Sequence, residues 1–357
     1  MKLGIVGLPN SGKTTLFNAL TLGHAATSSY TAAQANRGVV SVPDERLDRL
    51  HERLETPKKV NATIEIVDIP GMGGGTPGEG LGLRFLADIR GVDAVAHVLR
   101  AFEDPDVPHV RPALDPITDA DDVETELVLS DLELVERRLQ KSGKAAKAGD
   151  KAAQKEVATL EKLGDALREG HRARSVEIAP DEEPLIRELA LLTERPVLFV
   201  LNTGDEGGEP GDDLVAWAHA RGDEVVAVSA KLEAELAELE PDESAEFRAD
   251  LGDVAPGLDH VIAAAYRVLG YITFFTGDHK SSESRAWQLP RGWNARQAAG
   301  RIHTDIMNRF VRAEVVPLEA LLEAGSFHAA RDKGVLRVEG KDYVVRDGDV
   351  INFKHTA

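Results

Sequence analysis

The chain has no cysteine anywhere in its 357 residues. That excludes a disulfide, a thiolate metal site and a thiol nucleophile. Long hydrophobic runs are missing too, since no stretch approaches the roughly 20 apolar residues that a bilayer requires. The first residues, "MKLGIVGLPN", lack the basic, apolar and small-residue succession of a secretory leader, and Leu3–Val6 reads instead as a strand. A cytoplasmic protein with no membrane partner is expected. Positive charge is in deficit as well: 42 Lys and Arg stand against 61 Asp and Glu, a formal net charge of −19. A field of that sign repels phosphate, so the surface as a whole is no nucleic-acid binder and no DNA specificity is expected. Only a local basic patch escapes that exclusion.

What is present organises into an α/β pattern. Apolar runs at Leu3–Val6, Gly38–Val42, Thr63–Val67 and Ala94–Leu99 alternate with helix-length stretches and glycine-rich loops. Two further runs, "RPVLFVLN" at Arg195–Asn202 and "EVVAVSA" at Glu224–Ala230, appear only much later. Buried strands without polar alternation predict a mainly parallel sheet. Between them, Val128, Leu132, Val135 and Leu139 fall at helical spacing, as do Val157, Leu160, Leu163 and Leu167. Two helices forming an inserted antiparallel hairpin follow. The expected organisation is a nucleotide-binding domain in two parts, residues 1–120 and 195–277, interrupted by the hairpin at 121–194. A C-terminal α+β domain at 278–357 completes it, its end marked by short strands punctuated with Gly and Asp.

"GLPNSGKT", Gly7–Thr14, satisfies G-x-x-x-x-G-K-[ST] with a strand before it and a helix-compatible run after it. Such a loop wraps its amides around phosphates, and the helix N-terminus adds a favourable dipole. Asn10, Ser11, Gly12, Lys13, Thr14 and Thr15 are the expected phosphate contacts. Lys13 is expected to reach the β- and γ-phosphate oxygens, and the Thr14 hydroxyl to ligate Mg²⁺. "DIPG", Asp68–Gly71, ends a strand about 55 residues on, as a sensor of the third phosphate would. Asp68 is placed for the Mg²⁺ shell and the Gly71 amide for the γ-phosphate. "FVLNTGD" sets Asn202 and Asp205 after the fifth strand, half of a guanine-reading Asn-Lys-x-Asp motif, with Thr203 in place of the lysine. Ser229 and Ala230 of "VSAK" are placed to offer backbone amides to the base. A plain turn of Asn and Asp after a strand is the alternative reading of these residues.

The hairpin carries the basic patch that net charge left open. From Arg137 to Lys155 there are seven cations (Arg137, Arg138, Lys141, Lys144, Lys147, Lys151, Lys155) against one anion, Asp150. A solvated lysine-rich surface and an RNA contact are both open readings of this tip.

Taken together, "GLPNSGKTTLFNALT", "GEGLGLRFLADIRGVDAVAHVLRAFED", "ELVLSDLELVERRL" and the C-terminal "SRAW…AAGRIHTD…FVRAEV…EGKDYVVRDGDVINFK" resemble the YchF subfamily of Obg-type P-loop NTPases. The resemblance spans essentially the whole chain. It implies a nucleotide-binding domain with a coiled-coil arm, a C-terminal TGS domain of β-grasp type, ATP or GTP as substrate, Mg²⁺, and association with the ribosome by a monomer. It also accounts for Met72, a hydrophobic residue where Ras-type GTPases carry a water-orienting glutamine. The resemblance points to His109, in "AFEDPDVPHV", as the group that positions the water. Three departures mark a divergent member. The threonine completing the Mg²⁺ site is expected where Ala32 stands, so either Thr31 replaces it or that contact is missing. The acidic base reader is Asp205 instead of glutamate, which reopens GTP beside ATP. The loop "GMGGGTPGEG" carries extra Gly and Pro.

Two functions are therefore expected, a slow Mg²⁺-dependent triphosphatase switch and a nucleotide-gated ribosome- or RNA-binding module with negligible hydrolysis. A small-molecule kinase is disfavoured, because D-x-x-G and Asn-x-x-Asp would have no work in one.

Overall fold

The computed structural model of the chain describes residues 1–23, 37–69, 83–204, 207–250 and 257–356. In chain order the elements begin β1 (Lys2–Val6), α1 (Lys13–Gly23), β2 (Arg37–Ser41), α2 (Glu45–Leu54), β3 (Lys59–Val60), β4 (Thr63–Asp68), α3 (Leu83–Arg90) and β5 (Ala94–Ala101). They continue with α4 (Pro116–Lys147), α5 (Lys151–Arg168), α6 (Glu183–Leu189), β6 (Val197–Thr203), α7 (Asp212–Ala220), β7 (Glu224–Val228), α8 (Ala230–Leu236), α9 (Pro241–Asp250) and α10 (Gly257–Val268). The C-terminal part adds β8 (Tyr271–Thr276), β9 (Ser284–Pro290), α11 (Ala295–Ile302), α12 (Thr304–Asn308), β10 (Phe310–Pro317), α13 (Leu318–Ala324), α14 (Phe327–Asp332), β11 (Arg337–Glu339) and β12 (Asp349–His355).

The chain forms two compact units, one mainly from Met1–Gly23 and Glu65–Val261, the other mainly from Val39–Ile64 and Ile262–Ala357. In the first, strands run in the order β2-β4-β1-β5-β6-β7. The pairs β1–β4, β1–β5, β5–β6 and β6–β7 are all parallel. The mainly apolar character of β5 and β6 follows from their central place, where nearly every residue is buried. Parallel pairing brings the C-terminal ends of β1, β4, β5, β6 and β7 to one edge, which is where open α/β sheets bind ligands.

The hairpin forms as the heptad-like spacing predicts, but its first helix starts earlier. Helix α4 begins at Pro116, five residues before the expected boundary. Asp115 caps it by accepting from the Thr118 amide at 3.1 Å, and proline at the first turn loses no helical hydrogen bond. The chain reverses at Gly149, whose φ of 93° favours glycine, and Asp150 caps α5. Val128, Val135, Leu160, Leu163 and Leu167 make the buried seam. The base of the hairpin is fixed by buried polar pairs. Asp131 accepts from the Leu192 and Thr193 amides at 2.9 and 2.8 Å, and Arg172 bridges Glu124 and Asp223.

The second unit holds a sheet in the order β11-β10-β12-β8-β9-β3 over a core that includes Phe274, Leu289, Ala298, Val315 and Ile351. Helix α2 belongs here. Its Leu47, Leu50 and Leu54 are fully buried, Arg46 pairs with Asp347, and Arg49 meets Glu319 through two bonds of 2.8 and 2.7 Å. Residues 39–64 and 262–277 therefore differ from the expected division, which left both with the nucleotide domain. Leu47, Leu50 and Leu54 at helical spacing give α2 an apolar face, but spacing does not show which partner covers it.

Candidate nucleotide site

Five strand ends supply the site. After β1 the chain turns through Gly7–Lys13 into α1, and Asn10 takes a left-handed φ of 63°. Gly12 has a φ of 91°, and a Cβ there would lie 2.1 Å from Asn202 Nδ2. Only glycine fits that approach.

Asn202, from the end of β6, is the staple of the site. Its Nδ2 donates to the Ser11 carbonyl at 2.9 Å, and its Oδ1 accepts from the Ala230 amide at 3.0 Å. One buried amide thus ties the phosphate loop to the start of α8. The Ala230 amide, expected to face the base, is taken by Asn202. Ser229 caps α8 through its hydroxyl, which accepts from Leu232 at 3.4 Å. Thr203 is buried at the end of β6. Thr31, Gly71, Met72 and Asp205 lie outside the described residues.

Lys13 is 8% exposed, and its Nζ donates to the Leu8 carbonyl at 2.7 Å. Burial pulls its pKa below the ordinary lysine value, while the nearby Asp68 carboxylate opposes that fall. Among the described residues it forms no ion pair. Thr14 is exposed, and its hydroxyl donates to Asp68 Oδ2 at 3.0 Å. A hydroxyl and a carboxylate oxygen this close are donors of the kind a hard divalent cation prefers, so the pair fits Mg²⁺. Thr15 is half-buried in the first turn of α1. The Ser11 hydroxyl is buried without a hydrogen-bond partner.

His109 is not free. Its Nε2 lies 3.0 Å from Asp119 Oδ2, and its Nδ1 lies 3.1 Å from the Arg111 amide nitrogen. The segment carrying it is fastened to the phosphate loop by Asn10 Nδ2, which donates to the Pro108 carbonyl at 2.9 Å. Arg100 reinforces this link: Nη2 donates to the Val107 carbonyl at 2.8 Å, Nη1 to the Asn10 carbonyl at 3.4 Å and Nε to the Phe102 carbonyl at 3.0 Å. The guanidinium stacks on Phe102 and is almost fully buried. Sequence reasoning missed Arg100 and Asp119. Arg100 had a signal, a lone cation in an apolar strand; Asp119 had none, standing among several acids at a helix start.

Fold and loop together define a phosphate-loop nucleoside triphosphatase with a helical hairpin inserted between β5 and β6. Two family models match the chain, one described as a 50S ribosome-binding GTPase over residues 2–131, the other the YchF-GTPase C-terminal model, described as a protein of unknown function, over residues 271–356. The Bacillus subtilis protein named ribosome-binding ATPase YchF is 44% identical over 360 residues, covering 98% of each chain. The Escherichia coli O157:H7 protein of the same name is 42% identical over 99% of this chain and 98% of its own. The solved structure of the Schizosaccharomyces pombe YchF GTPase is similar at a TM-score of 0.88 and 33% identity, over 99% of this chain and 97% of that one. The chain belongs to the YchF family.

Proposed function

We propose that the protein binds ATP or GTP as the Mg²⁺ complex, hydrolyses it slowly, and uses the change to control association with the ribosome. The carrying observation is buried positive charge without an ion-pair partner beside a phosphate loop. Lys13 and Arg100 are buried, donate only to carbonyls and form no ion pair among the described residues, in a chain of net charge −19. An anion entering there regains the Coulomb energy that burial withholds from Lys13.

In this reading the amides of Asn10 to Thr15 cradle the phosphates, and Lys13 exchanges the Leu8 carbonyl for β- and γ-phosphate oxygens. Thr14 and Asp68 would hold Mg²⁺, with Thr31 as a further candidate, and the bound ion would supply positive charge to the phosphoryl oxygens. Gly71 offers an amide to the γ-phosphate, and His109 positions the attacking water once its ring is released. Thr203 and Ser229 would line the base side, with Asp205 as the candidate base reader and the Asn202–Ala230 bond as its support.

The ribosome reading rests on the names of the bacterial relatives and on the hairpin tip. Arg138 and Lys155 are paired there, to Glu156 and Asp181. Arg137, Lys141, Lys144, Lys147 and Lys151 are exposed and form no ion pair among the described residues. Four of these cations line one shallow concavity along α4. The C-terminal unit is assigned as a TGS-type second contact, and the protein as a cytoplasmic monomer. The engaged state of His109 favours a second reading, in which hydrolysis is negligible until a partner acts.

One paired experiment tests both functions. Turnover of ATP and GTP with Mg²⁺ is expected to fall at least about a hundredfold in Lys13→Ala. Co-sedimentation of Lys141→Glu/Lys144→Glu/Lys147→Glu with ribosomes should weaken and lose salt dependence. Equal turnover by Lys13→Ala, or unchanged sedimentation, rejects the corresponding half.

A further inference from the structure

The segment from Phe102 to Arg111 is bonded to the phosphate loop on one side and to the arm helix on the other. Arg100 and Asn10 hold the Val107 and Pro108 carbonyls, the two immediately before His109. Beyond them, the His109 ring reaches Asp119 in the first turn of α4. Both side chains are nearly buried, 8% and 3% exposed. An ionised carboxylate only accepts, so Nε2 donates to Asp119, while Nδ1 lies against the Arg111 backbone, 3.1 Å from its amide nitrogen and 3.3 Å from its carbonyl oxygen. Neither ring nitrogen is left for a water molecule.

We propose that Asp119 is a positioning residue that holds His109 withdrawn, so that hydrolysis waits on separation of this loop from the arm helix. The inference rests on His109 being the water-positioning group of the proposed function. The choice of bond follows from where its ends are anchored. The Arg111 amide is two residues from His109 in the same loop and travels with the ring, whereas the Arg111 guanidinium, at the end of a flexible side chain, stays against Asp119 and Asp122 of the helix. Asp119 belongs to α4, so relative motion of loop and helix breaks that bond first. The carboxylate is not stranded when the ring leaves, because Arg111 Nε already lies 3.4 Å from Asp119 Oδ1, an oxygen that accepts no hydrogen bond in the closed arrangement. A buried carboxylate without such a substitute would make opening far costlier. Arg111 is also tethered to Asp122 on the same helix. Helix α4 then runs without a break from Asp119 to the basic tip, about 38 Å away at Lys144 by helical rise. Force applied to the tip arrives at the residue that holds His109.

Steady-state kinetics of four variants tests this. Asp119→Ala should raise kcat about five- to tenfold, the scale of the net contribution of one hydrogen bond, with KM for the nucleotide within about twofold. Asp119→Asn keeps the shape and one acceptor, so it should give a smaller rise and carries the test if the alanine variant fails to fold. Arg111→Ala, which removes the substitute partner, should lower kcat. In the His109→Ala background, Asp119→Ala should have no effect. A fall of kcat in Asp119→Ala that parallels His109→Ala would overturn the proposal, as would an equal rise in both backgrounds. Wild-type turnover by His109→Ala would overturn the reading of His109 and this inference with it. An inert Asp119→Ala beside an inactive His109→Ala would overturn the latch alone.

Discussion

Polar side chains are buried both at the phosphate loop and at the base of the hairpin, and the two regions treat them in opposite ways. At the hairpin base each buried charge meets its match: Asp131 is saturated by two amides and the Thr193 hydroxyl, and Arg172 lies between Glu124 and Asp223. At the phosphate loop Lys13 and Arg100 hydrogen-bond only to carbonyls, the Ser11 hydroxyl has no hydrogen-bond partner, and Asn10 and Gly12 sit at positive φ. The first region is closed on itself and is structure. The second is electrostatically and conformationally unfinished, which is the condition of a site prepared for an anion.

That contrast can be broken by removing packing where packing is all there is. Leu163 is fully buried in the seam of the hairpin. Leu163→Ala should cost about 3 kcal/mol of hairpin stability, read by hydrogen exchange of α4 and α5 amides. Nucleotide affinity should stay within about twofold. A tenfold loss of affinity would mean that the two regions are not separable.

A smaller effect sharpens the same contrast from the core side. His97, on β5 against Phe199, is buried, and its pKa is pulled down to about 3 by burial first and then by the charges of Arg172 and Lys13. Below its ordinary value near 6.5 the unfolded chain takes up a proton that the native chain refuses. Stability therefore falls as pH drops from about 6.5 towards 3, by up to about 1.4 kcal/mol per pH unit. His97→Leu should flatten this dependence, by about 2 kcal/mol between pH 6.5 and pH 5 in urea unfolding monitored by tryptophan fluorescence. An unchanged slope would show that His97 titrates normally.

The parallel sheet, the hairpin and the phosphate loop were legible because each writes a local pattern: uninterrupted apolar runs, leucines at helical spacing, a glycine-lysine-threonine turn. The resemblance added His109. What stayed hidden are the pairings between segments distant in sequence. Asn202 reads as a base contact, yet its two bonds go to Ser11 and Ala230, 191 and 28 positions away. Asp119 looks like one more acid at a helix start until the chain brings His109 against it. Helix α2 shows its leucine face in the sequence, but its covering by the C-terminal unit is a tertiary fact. Local order is written in periodicity, and the partners of buried polar groups are written only in the fold.

The central claim is that this unfinished charge encloses a Mg²⁺-bound purine triphosphate. Equilibrium titration of the wild-type chain and Gly12→Ala with labelled ATP and GTP, with Mg²⁺ and with EDTA, tests it most directly. Saturable binding that weakens at least about tenfold on chelation and in Gly12→Ala is the predicted result. No binding of either nucleotide at millimolar concentration, or equal binding by Gly12→Ala, would contradict it.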